Sequence, residues 1–227
     1  MVLVIGHRGA PRLARENTVE SFAAAVSAGV PGIELDVRRT ADDVVVVHHD
    51  PLLADGRAIV RCRRADLPPH VPTLGEGLDG CRGAIVDVEI KNLPGESDFD
   101  PTDRLADMVV AVLRSRPEPA ASWLISSFRR ETIDRCRSVD PDLATGWLTI
   151  GAVTDDDVAS VVTAGHAAIH PWDPTVDHRV IERCHAAGLH VNTWTCNDVV
   201  RARELVSWGI DGICTDVPDV LVGAVGC

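Results

Sequence analysis

The sequence predicts an α/β fold, a single (β/α)₈ or TIM barrel over residues 1–227. Short β-branched apolar runs alternate with longer amphipathic stretches from end to end, which is typical of repeated βα units around a parallel sheet. Eight runs fit this alternation, and the length of 227 residues suits one barrel domain. A ninth apolar run departs from the alternation and predicts a β-hairpin with a short insertion after the second barrel strand.

The eight predicted strands cover residues 2–6, 32–37, 84–90, 122–126, 144–148, 167–170, 190–194 and 212–214. Helices are predicted over 17–28, 103–114, 130–138, 155–164, 177–187 and 198–208. Several begin at Ser, Thr, Asp or Asn and are followed by glycine, as at Gly29, Gly188 and Gly209, which are ordinary start and stop signals of helices.

The ninth run, residues 44–48, is separated from the second strand by residues 39–43 only. A parallel neighbour needs a crossover of roughly a dozen residues, so this run must return antiparallel. Its return brings His49 beside Asp36 at the end of the second strand. Residues 50–73 are weakly periodic and are predicted to form a loop or small insertion over the active-site mouth.

The formal net charge of -12 excludes a broad electrostatic partnership with nucleic acid or an anionic membrane. No apolar stretch approaches the ~18 residues of a membrane span, so we expect no stable membrane insertion. Seven cysteines without a C-x-x-C pair fit free thiols better than a disulfide framework. With no visible targeting segment, these features predict a cytoplasmic protein; the sequence leaves the oligomeric state open.

Three carboxylates lie at the ends of neighbouring predicted strands, where barrel enzymes carry their active sites. Glu34 and Asp36 are spaced i, i+2 and therefore point to the same face, and Glu89 with Lys91 repeats that spacing on the next strand. A single such acid could equally be paired with a nearby arginine. Three convergent carboxylates indicate one bound divalent cation with oxygen ligands, Mg²⁺ or Ca²⁺.

Two histidines are predicted to reach the same mouth. His7 ends the first strand and His49 ends the hairpin, which suits an acid and a base acting on one reacting centre. Each histidine alone is more often structural. Neighbours on a strand point to opposite sides, so only one of His48 and His49 can face the site. His49 is preferred because the hairpin brings it beside Asp36, whereas His48 continues the valine face.

The remaining predicted site residues are two cations and a tryptophan. Arg8 and Lys91, the chain's one lysine, suit binding of a phosphoester. Trp194, after the seventh barrel strand, could belong to the core or wall the pocket. Asn17 and Thr18 are predicted to cap the first helix.

These residues together resemble the glycerophosphodiester phosphodiesterase family, and the match covers almost the whole chain. The motifs are His7-Arg8-Gly9-Ala10, Glu16-Asn17-Thr18, Gly32-Ile33-Glu34-Leu35-Asp36-Val37, His49-Asp50-Pro51, Glu89-Ile90-Lys91, Ser126-Ser127-Phe128, Trp194-Thr195-Cys196-Asn197 and Asp211-Gly212-Ile213-Cys214-Thr215-Asp216.

The resemblance implies a (β/α)₈ barrel that hydrolyses glycerophosphodiesters, small-molecule substrates, to sn-glycerol 3-phosphate and an alcohol. It implies one Ca²⁺ or Mg²⁺ held by Glu34, Asp36 and Glu89. It also implies that His7 and His49 are the acid-base pair, with Arg8 and Lys91 near the phosphate.

The chain departs from the family pattern in two places. Arg15 stands where the family usually has proline, and the insertion after His49 is shorter than is common. In the family that insertion contributes to the substrate mouth, so its shortness leaves open the preference for the alcohol and not the core chemistry.

Three alternatives remain open from the sequence. One is cleavage of lysophospholipids, although Arg61, Arg63 and Arg64 predict a polar rim on the insertion. Another is an inactive barrel that binds phosphorylated ligands, and the third is a metal-free glycosidase that uses two of the carboxylates directly.

Overall fold

Eight parallel strands close into a barrel in the computed structural model, which describes residues 2–226. In chain order the strands are β1 (Leu3–Gly6), β2 (Gly32–Arg39), β3 (Val45–Val47), β4 (Ile85–Ile90), β5 (Trp123–Ser127), β6 (Ala144–Thr149), β7 (Ala168–Pro171), β8 (His190–Thr193) and β9 (Gly212–Thr215). All but β3 belong to the barrel. The predicted (β/α)₈ fold is confirmed.

The barrel closes because β1 pairs with both β2 and the last strand. Ile5 is opposite Gly32 on β2 and opposite Cys214 on β9, and both ladders are parallel. Parallel strands all end at the same rim, so the residues that follow them meet there although they lie far apart in sequence.

Helices connect the strands on the outside of the barrel. They are α1 (Val19–Ser27), α2 (Leu74–Gly80), α3 (Arg104–Arg114), α4 (Arg130–Val139), α5 (Asp155–Thr163), α6 (His178–Ala186), α7 (Val199–Ser207) and α8 (Pro218–Val225). Within residues 2–226 no helix combines the length and the apolar character that a membrane crossing requires.

The sequence patterns did not identify α2 and α8. The former has seven residues, three of them glycine, so its helical propensity is low; a capping box between Thr73 and Glu76 fixes its start. Pro218 begins α8, and proline at the first helical position is a start signal that could have revealed it.

The second strand shows how the barrel separates apolar from polar side chains. Ile33, Leu35 and Val37 join the main hydrophobic core between the barrel and its helices. The alternate residues Glu34 and Asp36 lie on the opposite face of the strand, toward the barrel interior, and are buried as well. Burial on both faces leaves these carboxylates dependent on contacts within the protein.

The predicted hairpin is present, since β3 pairs antiparallel with β2. The insertion that follows packs its own small apolar cluster against the hairpin, formed by Val46, Leu53, Ile59, Cys62, Leu67 and Val71. Two of the arginines predicted to form a polar rim on the insertion contact the hairpin turn. Nε of Arg63 lies 3.7 Å from Oδ2 of Asp42, and the backbone N–H of Arg64 donates to Oδ1 of Asp42 at 2.9 Å.

All six described cysteines, which are Cys62, Cys81, Cys136, Cys184, Cys196 and Cys214, are buried free thiols. The seventh, Cys227, lies outside the described residues.

Candidate active site

Three buried carboxylates meet inside the rim of the barrel. Glu34, Asp36 and Glu89 each offer an oxygen within 4.8 Å of the others. The parallel register places Asp36 directly opposite Glu89. Oε1 of Glu34 is buried and has no hydrogen-bond partner among the described residues. A set of hard oxygen donors with one unsatisfied atom fits a divalent cation such as Mg²⁺ or Ca²⁺.

The loop after β1 fixes two of these carboxylates. The backbone N–H of Arg8 donates to Oε2 of Glu34 at 2.8 Å, and Nε of Arg8 lies 3.3 Å from Oδ2 of Asp36. Nδ2 of Asn17 donates to the same Asp36 oxygen at 2.7 Å. Asn17 therefore orients a predicted metal ligand, and the helix cap is Thr18 alone, whose side chain accepts from the N–H of Ser21.

The pKa values of the three carboxyl groups in the buried cluster are shifted in different directions. Burial, together with the charges of Asp36 and Glu89, raises the pKa of Glu34 well above its ordinary value. Burial also acts on Asp36, but Lys91 and Arg8 outweigh it and hold the pKa of that carboxyl below its usual range. Burial raises the pKa of Glu89 although Lys91 opposes the shift. A bound cation would favour the ionised form of all three.

His7 is held by a carboxylate from the last strand. Its Nδ1 lies 2.6 Å from Oδ1 of Asp216, which follows β9. Nδ2 of Asn197 donates to the other oxygen of Asp216 at 2.7 Å. A carboxylate at Nδ1 favours the tautomer with a proton there, which leaves Nε2 free to exchange a proton with a substrate.

His49 has a similar arrangement on the hairpin side. Its Nδ1 lies 2.7 Å from Oδ1 of Asp50, and its backbone oxygen accepts a 2.7 Å hydrogen bond from Nε of Arg38. Burial lowers the pKa of His49, with the nearby charge of Asp36 opposing the shift. The barrel therefore presents two histidines whose Nε2 atoms are available beside the acidic cluster.

The contrast drawn between His48 and His49 needs a correction. Because β3 ends at Val47, strand alternation does not continue through the two histidines. Both line a groove beside the insertion. His49 is the one that interacts with the charge of Asp36.

Lys91 and Trp194 both lie against Phe128. Nζ of Lys91 lies 2.8 Å from Oδ1 of Asp36 and also contacts Glu89, so the ammonium is part of the acidic cluster. Phe128 lies below Lys91 and makes an edge contact with the Trp194 ring at 5.2 Å. Trp194 walls a cavity of about 350 Å³ that His7, Glu34 and Glu89 also line.

The floor of this cavity carries a second pair of ionisable groups. Oδ2 of Asp87 lies 3.4 Å from Nδ1 of His170, and Nε2 of His170 is 3.1 Å from the Asn192 amide. Burial raises the pKa of Asp87 to about 7 and lowers the pKa of His170 to about 3. These directions favour a neutral pair over an ion pair. No function is predicted for His170 from the sequence, and its low pKa fits a structural role.

No role is predicted from the sequence for Arg38, Asn197 and Asp216, and Asn17 is predicted only as a helix cap. Asp216 could have been found, because it follows a barrel strand at the rim where catalytic residues collect. Asn17 contacts Asp36 on the neighbouring strand, and Arg38 contacts the His49 backbone across the hairpin; no local pattern reveals these contacts.

The comparisons with known proteins bear on the fold and on the family. Residues 7–220 match the model of the glycerophosphoryl diester phosphodiesterase family. A glycerophosphodiester phosphodiesterase from Caldanaerobacter subterraneus subsp. tengcongensis is 27% identical over 98% of this chain and 97% of its own length.

Two solved structures share the fold over nearly the whole chain. A phosphodiesterase from Oleispira antarctica, in complex with the product sn-glycerol-3-phosphate, is 25% identical with a TM-score of 0.90, covering 99% of this chain and 96% of its own. A glycerophosphodiester phosphodiesterase from Thermotoga maritima is 26% identical with a TM-score of 0.84, covering 98% of each chain. The chain therefore belongs to the glycerophosphoryl diester phosphodiesterase family of enzymes.

Proposed function

We propose that this protein hydrolyses glycerophosphodiesters to sn-glycerol 3-phosphate and an alcohol, and that it requires one divalent cation. The observation that carries the proposal is the pair of aspartate-held histidines, His7 and His49, beside the buried acidic cluster. Such a pair can supply both the base and the acid of a phosphodiester cleavage. The family membership favours this chemistry over the glycosidase alternative.

Glu34, Asp36 and Glu89 would hold the cation. When bound, it would supply positive charge to a phosphoryl oxygen and neutralise the cluster. Arg8 is placed to add a second positive charge there, because its guanidinium already lies at the edge of the cluster beside Asp36.

In the proposed reaction His7 is the base and His49 is the acid. Nε2 of His7 takes the proton of the nucleophile, which is water or the neighbouring glycerol hydroxyl, as its oxygen attacks phosphorus. The bond from phosphorus to the alcohol oxygen breaks, and Nε2–H of His49 protonates the leaving alkoxide. If the glycerol hydroxyl attacks, water then opens the cyclic phosphodiester to give the same products.

This assignment has a measurable consequence for leaving groups. His49→Ala should lose most activity on alkyl diesters and retain it on a p-nitrophenyl diester, whose leaving group needs no proton. His7→Ala should lose activity on both. Equal losses for both substrates in His49→Ala would contradict the acid role.

The main test is release of sn-glycerol 3-phosphate from glycerophosphodiesters by purified protein, first with EDTA and then with Mg²⁺ or Ca²⁺ restored. We expect EDTA to abolish release, and restored metal to recover it in the wild type but not in Glu34→Gln. Glu182→Gln, an exposed acid on α6, serves as the matched control. Release that persists in EDTA would contradict the metal requirement.

The location of the insertion supports a further part of the proposal. We propose that residues 50–73 belong to the same barrel domain and form one wall of the alcohol side of the site. His70 and Val71 from this segment line a groove that His49 also lines.

A further inference from the structure

A second groove lies beside the acidic cluster, on the side of His49. Its space is about 770 Å³ and is distinct from the cavity lined by His7 and Trp194. Asn17 connects the groove to the acidic cluster, because it lines the groove and also donates to Asp36. A phosphodiester carries two ester groups on phosphorus. The groove adjoins His49, the proposed acid for the alcohol that leaves.

A contact between two chain segments borders the groove. Nη1 of Arg15, in the loop after β1, lies 2.8 Å from Nε2 of His70 in the insertion. Both side chains are exposed, so the contact lies at the mouth of the groove. Arg15 and His70 therefore present polar atoms to the groove that they both line.

The floor and rim of the groove have different chemistry. Val47, Leu53 and Val71 form an apolar floor. The rim carries His48 and Asp50, each engaged through a single side-chain atom: Nδ1 of His48 contacts the Asp50 backbone oxygen, and Oδ1 of Asp50 contacts His49. The other imidazole nitrogen and the other carboxylate oxygen are available to a ligand.

None of the described residues that line the groove is Phe, Tyr or Trp. Quaternary ammonium groups are recognised best over the faces of aromatic rings. Donors and acceptors above an aliphatic floor instead match an alcohol that offers hydroxyl groups on one side and C–H groups on the other.

We propose that this groove is the subsite for the leaving alcohol and that it selects alcohols with several hydroxyl groups over choline. Arg15, His48, Asp50 and His70 are the residues that determine this specificity. The inference rests on the proposed function, since it names the alcohol that the hydrolysis releases.

The test compares kcat/KM for four substrates of the metal-loaded enzyme: glycerophosphoglycerol, glycerophosphoinositol, glycerophosphocholine and glycerophosphoethanolamine. We expect the two polyol substrates to be preferred over glycerophosphocholine by about 10-fold or more, as loss of one or two hydrogen bonds would give. Arg15→Ala and His70→Ala should reduce that preference to within a few-fold of unity, mainly by raising KM for the polyol substrates. Arg63→Ala, exposed on the same insertion and outside the groove, should keep the full preference.

The outcomes separate the two proposals. Metal-dependent release that is equal for the four substrates, or fastest for glycerophosphocholine, overturns the selectivity and leaves the phosphodiesterase function intact. A polyol preference that survives both Arg15→Ala and His70→Ala overturns the role of the groove. Failure to release sn-glycerol 3-phosphate from any of the four overturns the proposed function and the selectivity with it.

Discussion

Nδ1 of His7 lies 2.6 Å from Oδ1 of Asp216, a residue 209 positions later in the chain. The contact joins the first barrel strand to the last, and it becomes possible only when the barrel closes. If His7 is the base, Asp216 holds its tautomer and stabilises the imidazolium that forms.

Asp216→Asn should therefore lower kcat by about 10²-fold on glycerophosphodiesters, because the base loses its orientation and its countercharge. KM should change little. Steady-state kinetics checks this expectation. Asp134→Asn is the matched control, since Asp134 contacts His166 at 2.8 Å outside the site. A comparable loss of kcat in both variants would mean that Asp216 acts through stability alone.

Metal binding should stabilise the fold as well as support catalysis. At a concentration 100-fold above Kd, Mg²⁺ or Ca²⁺ should raise the free energy of unfolding by about 2.7 kcal/mol. Glu34→Gln should lose most of this gain, because the substitution removes one charged ligand of the cation. The amide oxygen of the new side chain can still accept the hydrogen bond from the Arg8 backbone N–H. Thermal unfolding with and without metal measures the effect. An equal rise of Tm in Glu34→Gln would place the cation elsewhere.

Asn17→Ala should destabilise the protein by about 1–3 kcal/mol, since the buried Asp36 loses a hydrogen bond from an amide donor. Urea unfolding checks the change. Thr18→Ala gives a comparison, because it removes the true cap of α1 and should cost about 1 kcal/mol without weakening metal binding. If Asn17→Ala leaves metal affinity unchanged, Asn17 does not orient the ligand.

The pair formed by Asp87 and His170 should give opposite pH effects when either member is removed. Burial raises the pKa of Asp87 from 3.8 to about 7, so the folded state binds the extra proton and stability rises as pH falls through this range. Burial lowers the pKa of His170 from 6.5 to about 3, so the unfolded state binds the extra proton and stability falls as pH falls. The two slopes cancel in the wild type between about pH 4 and 6.5.

Relative to the wild type, Asp87→Asn should lose about 1.4 kcal/mol per pH unit on acidification from pH 6.5 to 4, and His170→Gln should gain a similar amount. Urea unfolding at several pH values measures both slopes. Slopes of the opposite sign would show that the pair is ionic in the folded protein.

The sequence by itself determined the barrel and predicted which strand ends carry the candidate site residues. Alternating strand and helix periods predict the eight βα units, and the short link before residues 44–48 predicts the hairpin, because local spacing alone decides these features. The i, i+2 spacing of Glu34 and Asp36 places them on one face for the same reason.

Only the tertiary structure decided which groups meet at the rim. The contacts of His7 with Asp216, Asn17 with Asp36 and Arg15 with His70 depend on barrel closure and on loops that face one another. The tertiary structure also decides the charge states of the buried ionisable groups, because burial and neighbouring charges shift their pKa values. Residues far apart in the chain become neighbours only through the register of the sheet, and no local pattern in the sequence encodes that register.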